Sequence, residues 1–475
     1  MLEEVCVQGM GYVGIATATV IASARDINGN LLYNVTGIEL NNKNGLEKIY
    51  HINEGNLYFP CEDLNFKEKL KEAVIKNKNL KATTKIENYE VADIIVIATN
   101  IDIIKVNTNL SASKVIFDNF VNGLITIGKK IKPSCLLLIE TTVPPGTSEK
   151  IVESVITKEF LKRNIKDRPL ICHSYERVTP GKNYLKSITD NWRNYATNCN
   201  DAKKLAEKFL KRIINTERYP LTFLDNPKYT EIAKILENSY RAVNIAFIYE
   251  WTLLAEICEV NLFEIIKAIK NRKGTHDNIM KPGFGVGGYC LPKDSLLAQW
   301  SLKNFFHIDN LSLEFSLRAI EINDRMPFHV YDLIRNQIGS IKGKKVLICG
   351  VSYLPDIFDL RNTAAKTLFD KILEEDGMCY VTDPFLENDN GYFDNEYIFR
   401  GQDMSSYDVI VYAVRYEHYL NLDPNALIKS IKKEVLLVDA IDIFNDEKIK
   451  IFLKNKINII GVGKGHIQHL KNDLE

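Results

Sequence analysis

The sequence predicts an α/β chain in which two doubly wound parallel sheets are joined by a central part of long helices. Three observations carry this. A β-prone run, Val5-Cys6-Val7, leads directly into Gly9-x-Gly11-x-x-Gly14 and then into a helix-like segment, Ile15–Ala24. From about residue 200 the apolar residues recur instead at the helical period, over Asp201–Ile214 and Tyr229–Ile269. A second alternation of strand and helix begins at Lys345. Alternating strands and helices build a parallel sheet because each helix packs its apolar stripe back on the strands it connects.

The elements follow in order. After Ile15–Ala24 a polar interruption, Arg25–Asn34, precedes strand Val35–Leu40, with Glu39 near its end. Apolar strands Ile94–Thr99 and Leu136–Ile139 come next, set apart by segments of helical character, Phe66–Lys76 and Ser113–Lys130. Residues 228–270 read as one long helix or as two nearly in line. Gly274–Asp294 is a loop rich in glycine and proline, and Leu311–Ile338 is helical again. In the last part Val346–Gly350 is a strand and Thr363–Glu375 a helix. Val381, Val409–Ala413, Val435–Val438 and Ile457–Val462 belong to further strands. The expected parts are residues 1–200, 201–338 and 339–475.

With 475 residues, 45% apolar and 26% charged, the chain has the balance of an ordinary globular protein. Lys+Arg and Asp+Glu both number 61, and this zero net charge argues against a broad nucleic-acid surface. No apolar run reaches the ~18 residues of a membrane span. Tyr12–Ser23 lacks the basic flank and cleavage site of a signal peptide. The expectation is a cytoplasmic protein with neither a membrane nor a nucleic-acid partner. Nine cysteines are scattered without C-x-x-C pairs or histidine neighbours, which rules against a zinc module and a disulfide framework. No metal is expected, and the eight histidines read as structural or surface groups.

Gly9, Gly11 and Gly14 lie between a strand and a helix. The first allows a tight turn, the second lets a pyrophosphate approach the backbone, and the third lets the helix pack closely. The helix N-terminus adds N–H groups and partial positive charge. Glu39, at the end of the second strand, can accept bonds from an adenosine ribose and repels a 2′-phosphate, which favours NAD over NADP. A glycine turn with no ligand is the plainer alternative. Strand, turn, helix and terminal acid together favour the dinucleotide and make both α/β domains Rossmann-like. The corresponding turn, Gly350-Val351-Ser352, lacks the glycine series and is expected to share the fold without the cofactor.

The loop Gly283-Phe284-Gly285-Val286-Gly287-Gly288-Tyr289-Cys290-Leu291-Pro292-Lys293-Asp294 exposes backbone for a ligand and places a thiol beside a cation. A thiol of lowered pKa can attack a carbonyl carbon. The plainer alternative, a buried structural cysteine, is preferred for most of the others, including Cys6, Cys172, Cys258 and Cys349.

With this loop the chain resembles the UDP-glucose / UDP-N-acetylhexosamine / GDP-mannose dehydrogenase family. The likeness runs in order through nearly the whole sequence. It includes Gly9–Gly14 with Tyr12-Val13, Glu140-Thr141-Thr142-Val143-Pro144-Pro145-Gly146-Thr147, and Glu176-Arg177-Val178-x-Pro180-Gly181. Lys234-x-x-x-Asn238, the Cys290 loop and Asp359-Leu360-Arg361 complete it.

The resemblance implies an NAD-dependent four-electron oxidation of the C6 alcohol of a nucleotide sugar to a uronic acid for a surface polysaccharide. It implies that Cys290 holds the aldehyde as a thiohemiacetal and then a thioester, and that Asp294 and Thr142 hold a water that takes the hydroxyl proton. Lys234 and Asn238, one helical turn apart, would stabilise the oxyanion, and Glu176 would assist thioester hydrolysis. Cofactor contacts are expected from Gly9, Gly11, Tyr12, Val13, Gly14, Glu39, Thr99, Thr142, Lys293 and Arg361. Substrate contacts are expected from Glu176, Arg177, Lys234, Asn238 and Gly287. Residues 1–200 would bind NAD, 201–338 carry the cysteine loop, and 339–475 bind the nucleotide sugar.

The segments around Glu176 and Asn238 look like the N-acetylhexosamine branch, so a UDP-N-acetylhexosamine leads and UDP-glucose is the runner-up. A non-catalytic NAD or nucleotide-sugar sensor is the rival of another class. A homodimer or higher homo-oligomer built on the helix around Glu231–Ile269 is expected. Three departures stand out: Leu354 replaces a lysine in Tyr353-Leu354-Pro355-Asp356, Val438–Asp442 lacks an arginine, and Tyr175 replaces a proline.

Overall fold

Short runs of Val, Ile and Leu become strands covered on both faces, which is why they lack the polar alternation of a half-exposed sheet. The computed structural model describes residues 2–355, 357–386 and 391–474, so Asp356 lies outside the described residues. The chain forms two units, residues 1–237 with 294–312, and residues 238–293 with 313–475. The expected α/β class with two parallel sheets and a helical centre is observed.

In the first unit the order is β1 (Glu3–Gln8), α1 (Tyr12–Ser23), β2 (Tyr33–Ile38), α2 (Lys43–Asn53), α3 (Leu64–Lys71), β3 (Leu80–Thr83) and β4 (Ile94–Ile97). A hairpin, β5 (Asp102–Ile104) and β6 (Lys114–Ile116), then precedes α4 (Asp118–Gly128), β7 (Leu136–Ile139), α5 (Ser154–Lys162) and β8 (Leu170–His173). There follow α6 (Tyr184–Thr189), β9 (Asn194–Ala196), α7 (Asn200–Ile213), β10 (Thr222–Leu224) and α8 (Pro227–Ile257), whose residues from Asn238 onward belong to the second unit.

The sheet runs β10-β9-β8-β7-β4-β1-β2-β3, parallel except where β8 meets β9 through His173 and Ala196. Its two faces feed two cores. Val5, Val7, Ile94, Val96, Leu136 and Leu138 point to one, and Cys6, Ile95, Ile97, Leu137 and Ile139 to the other. The polar interruption after α1 folds into a closed turn: Asp26 Oδ1 accepts the N–H groups of Asn28 at 2.9 Å and Asn30 at 2.8 Å. The extra residues before Glu39 are thereby looped out. The expected helical segment Ser113–Lys130 is corrected: its first residues pair in β6, and the helix begins at Asp118.

The second unit holds the rest of α8 and α9 (Leu262–Ile269); α10 (Asp294–Asn304) belongs to the first unit. The 228–270 stretch is therefore two helices, divided where Glu259 takes a positive φ of 55° and the Asn261 side chain caps α9. The second unit continues with α11 (Glu314–Ile338), β11 (Lys345–Cys349), α12 (Ala364–Glu374), β12 (Met378–Thr382) and β13 (Val409–Tyr412). It ends with α13 (Glu417–Leu420), α14 (Pro424–Ser430), β14 (Leu436–Asp439), α15 (Asp446–Lys454), β15 (Asn458–Gly461) and α16 (Ile467–Asn472). Its sheet, β12-β11-β13-β14-β15, is parallel throughout. Among the described residues no helix is long and apolar enough to cross a membrane.

Candidate functional site

Two glycines of the first turn are required by the packing of the protein itself, and the third leaves space. Gly9 has φ +88°, and a Cβ there would come 3.2 Å from Thr99 Oγ1. A Cβ on Gly14 would lie 1.9 Å from the Gly9 carbonyl oxygen, so only glycine lets α1 pack against the turn. At Gly11 a Cβ would meet nothing within 4 Å, which leaves room at the N-terminus of α1. The N-cap is Gly11, which has no side chain to cap the helix, so α1 presents the partial positive charge of a helix N-terminus beside the turn. Thr99 follows β4 at the carboxyl edge of the sheet, where ligands of such folds bind. Glu39 follows β2 directly; its Oε1 accepts the Met10 N–H at 2.8 Å and lies 3.0 Å from Lys48 Nζ. An open glycine cradle, an uncapped helix end and a carboxylate at the next strand fit NAD.

The second chemical cluster of this unit stands at the ends of β7 and β8. Lys234 is buried on α8, and its ammonium donates to the Glu176 carbonyl at 2.7 Å, with Glu176 Oε1 at 3.5 Å. Glu176 Oε2 accepts the Val178 N–H. The ammonium also lies 5.6 Å from the centre of the Tyr175 ring. That phenol donates to Glu237 at 2.9 Å and accepts from Arg177 at 3.0 Å and Asn194 at 2.8 Å. Burial pushes the Tyr175 hydroxyl up to about 12, so it stays protonated. Burial works to raise the Glu237 carboxyl, but Arg177 outweighs it and holds the carboxyl below its ordinary range. The residue that departs from proline is thus a fixed platform beneath Lys234.

The base of the site is a buried polar network. Arg193 pairs with Glu140, and both are nearly solvent-free. Glu140 accepts from Thr17 of α1 at 2.8 Å, and Arg193 donates to Ser174 Oγ at 3.0 Å. The network ties the dinucleotide helix to the ends of β7 and β8. Thr141 is pinned by its hydroxyl to the carbonyls of Ile97 at 3.1 Å and Thr99 at 2.9 Å. His173 lies between Thr141 O at 3.3 Å and Thr230 Oγ1 at 2.7 Å, and burial depresses its pKa to about 3. It is neutral at any working pH and acts as a spacer. Glu231 accepts the N–H groups of Gly146 at 2.6 Å and Ser148 at 2.8 Å, which fixes the start of α8 against the turn after β7. Burial raises the Glu231 carboxyl. Thr142 is half-buried beside pinned Thr141, and Asp294 is buried as the first residue of α10.

Within the second unit the cysteine loop is clamped along its backbone. The Gly288 N–H donates to the Arg361 carbonyl at 2.8 Å, and Asn362 donates back to the Gly288 carbonyl at 2.9 Å. A Cβ on Gly287 would lie 2.5 Å from the Tyr353 side chain, so glycine is required there. Lys293 Nζ and the Arg361 guanidinium lie 4.3 Å and 5.0 Å from the Tyr289 ring centre. Arg361 is forked onto Asp359. Cys290 is exposed. Asn238 is half-buried on α8.

At the corresponding turn of the second unit, Asp383 accepts the N–H groups of Val351 at 2.7 Å and Ser352 at 3.3 Å, the place after the neighbouring strand that Glu39 takes at the first turn. Burial raises that carboxyl. The segment lacking an arginine receives one from another strand's loop: Arg415 donates to the Ile441 carbonyl at 3.2 Å and lies 3.2 Å from Asp442 Oδ2. Leu354 is partly exposed.

The structure therefore brings together Gly9, Gly11, Gly14, Thr99 and Glu39, and separately Glu176, Arg177 and Lys234. In the second unit it gathers Lys293 and Arg361 about Tyr289 and sets Gly287 against Tyr353. Sequence reasoning missed Tyr175 and Glu237 as supports, the Arg193–Glu140 pair, His173 and Lys48. Only Glu140 lay inside a quoted motif. Among the described residues no cluster of His, Cys, Asp and Glu could hold a metal.

Three family models match in order. They describe the UDP-glucose/GDP-mannose dehydrogenase family's NAD binding domain over residues 3–193, central domain over 228–325 and UDP binding domain over 347–446. A UDP-N-acetyl-D-mannosamine dehydrogenase of Pyrococcus horikoshii is 27% identical over 98% of this chain and 100% of its own. One of Methanocaldococcus jannaschii is 28% identical over 97% of both chains. The solved structure of a UDP-D-ManNAc dehydrogenase from Pyrococcus horikoshii superposes with a TM-score of 0.81 at 24% identity, covering 98% of this chain and 100% of that one. At that identity the likeness speaks for the fold.

Proposed function

Because the chain belongs to the UDP-glucose/GDP-mannose dehydrogenase family, we propose that it oxidises the C6 alcohol of a UDP-N-acetylhexosamine to the carboxylate. NAD, when bound, accepts hydride from C6 in each of the two oxidations. A water held by Asp294 and Thr142 takes the proton of the C6 hydroxyl. The Cys290 thiolate then adds to the aldehyde carbon: a C–S bond forms, and the carbonyl π pair moves to oxygen. Lys234 and Asn238 stabilise that oxyanion. Oxidation of the thiohemiacetal leaves a thioester. Water, oriented by Glu176, attacks it, the C–S bond breaks, and the thiolate returns with a carboxylate product.

The observation that supports this most is the exposed thiol of Cys290 on a loop clamped at Gly288. The relatives' names favour an N-acetylhexosamine over glucose. The test is incubation with NAD and UDP-N-acetyl-D-mannosamine, scored by absorbance and by product charge. Two NADH per sugar and an acidic product are expected. Binding without NADH would make the protein a sensor, and faster oxidation of UDP-glucose would reassign the sugar.

Glu39 selects NAD in this reading. Glu39→Ala should lower kcat/KM for NAD by about tenfold to a hundredfold, the worth of hydrogen bonds to a charged group. NADP should be affected far less. An unchanged NAD/NADP ratio removes Glu39 from that role.

The partner is a second copy of the chain. Along α8, Ile232, Leu236, Tyr240, Phe247, Trp251 and Leu254 are each about half exposed. They recur at intervals of three, four and seven residues, on a helix about 46 Å long. A continuous apolar stripe is more than a monomer ordinarily shows, and two-fold pairing lets one stripe cover its copy. Phe247→Glu combined with Trp251→Glu should convert a dimer to monomers in sedimentation velocity. An unchanged mass would place the interface elsewhere.

A further inference from the structure

We propose that Lys48 and Tyr58 are positioning residues for the dinucleotide. With Glu39 they close a circuit around Met10 that sets the ribose-binding carboxylate before a ligand arrives. Met10 occupies the middle of the glycine turn and is held at three points. Its side chain is buried against Gly37 of β2, where a Cβ would come 2.4 Å from the Met10 sulfur. Its N–H donates to Glu39 Oε1 at 2.8 Å. Its carbonyl accepts the Tyr58 hydroxyl at 3.1 Å. Lys48 closes the loop: its ammonium lies 3.0 Å from the same Glu39 oxygen and 5.6 Å from the centre of the Tyr58 ring. Four separate pieces of chain meet here, namely the glycine turn, the end of β2, α2 and the segment between α2 and α3.

The lone-pair count gives the arrangement its direction. A carboxylate offers about four acceptor positions. Met10 and Lys48 both fall on Oε1, whereas among the described residues Oε2 receives only the Leu40 N–H at 3.2 Å. Oε2 is therefore the oxygen left to accept a ribose hydroxyl. The Glu39 side chain is 8% exposed and that of Lys48 19%, so the pair is shielded from water and holds one geometry. The neighbouring carbonyl is drawn away in the same manner, since the Tyr184 hydroxyl donates to Tyr12 O at 2.9 Å. Two phenols thus take the carbonyls of Met10 and Tyr12 on either side of the start of α1. A site set in advance loses less on binding than one the ligand must organise.

The proposal rests on the dinucleotide occupying this turn, and NADH fluorescence titration separates the two ideas. Lys48→Met should weaken NADH binding and raise KM for NAD by about tenfold. The kcat and the KM for the sugar should stay within about twofold, and Lys48→Arg should recover most of the loss. Tyr58→Phe, which keeps the ring, should weaken NADH binding by about threefold and reads the same circuit if Lys48→Met does not fold. A Lys48→Met protein of unchanged melting temperature that binds NADH as the parent does would overturn the proposal. A parent protein that binds no NADH would overturn the dinucleotide reading instead.

Discussion

Cys290→Ala is expected to form no uronic acid, with turnover down by about three orders of magnitude or more, because nothing remains to hold the aldehyde covalently. Cys290→Ser keeps a hydroxyl of much lower acidity and should stop before the second oxidation. Mass spectrometry of the product and NADH counted per sugar check both variants, and acid production at the parent rate would end the covalent mechanism. The other thiols provide the control. Burial pushes Cys6, Cys172 and Cys349 up to about 12, and raises Cys61, Cys135 and Cys379 as well. At neutral pH those sulfurs are protonated and enclosed. Cys258, expected to be buried, is instead exposed, because it lies just past the end of α8; Cys199 is partly exposed, and the proposed reaction gives neither a part. Cys258→Ser should therefore keep full activity and leave Cys290 as the sulfur whose alkylation by iodoacetamide inactivates the enzyme.

Lys234→Met should lower kcat by about a hundredfold to a thousandfold, the usual cost of removing one oxyanion donor. KM for NAD should change little, since Glu39 and the glycine turn are untouched. The variant also strips Glu176 of its cation, so a fall in melting temperature is expected alongside; fluorescence-monitored unfolding separates it from the kinetic loss. A kcat within threefold of the parent would show that the ammonium only braces the Glu176 backbone.

The glycine turn was legible because its requirements are those of the backbone: a positive φ at Gly9 and a 1.9 Å clash at Gly14 exclude every side chain. The β4 and β7 strands were legible because burial on both faces demands unbroken apolar runs. β3 was harder, being a short edge strand with an exposed Lys81 in its middle. The supports of the site were not legible at all. Glu140 and Arg193 neutralise each other across fifty-three residues of chain. Neither a spacing rule nor a motif reports a buried ion pair before the sheet has formed. Tyr175 looked like a lost proline; its role became visible only with Glu237, Arg177 and Asn194 around its hydroxyl. The missing arginine near Asp442 was likewise a fact about sequence position and not about charge, since Arg415 arrives from a different loop.

On the reading proposed, the open glycine cradle of Gly9, Gly11 and Gly14 seats the dinucleotide. Two hydrides must leave through that one seat, and it has to be vacated and refilled while the sugar is half oxidised. A freely diffusing aldehyde would be lost in that interval. Using one seat twice makes retention of the intermediate a timing requirement: the tether has to outlast one cofactor exchange, and the exchange rate sets an upper limit on turnover.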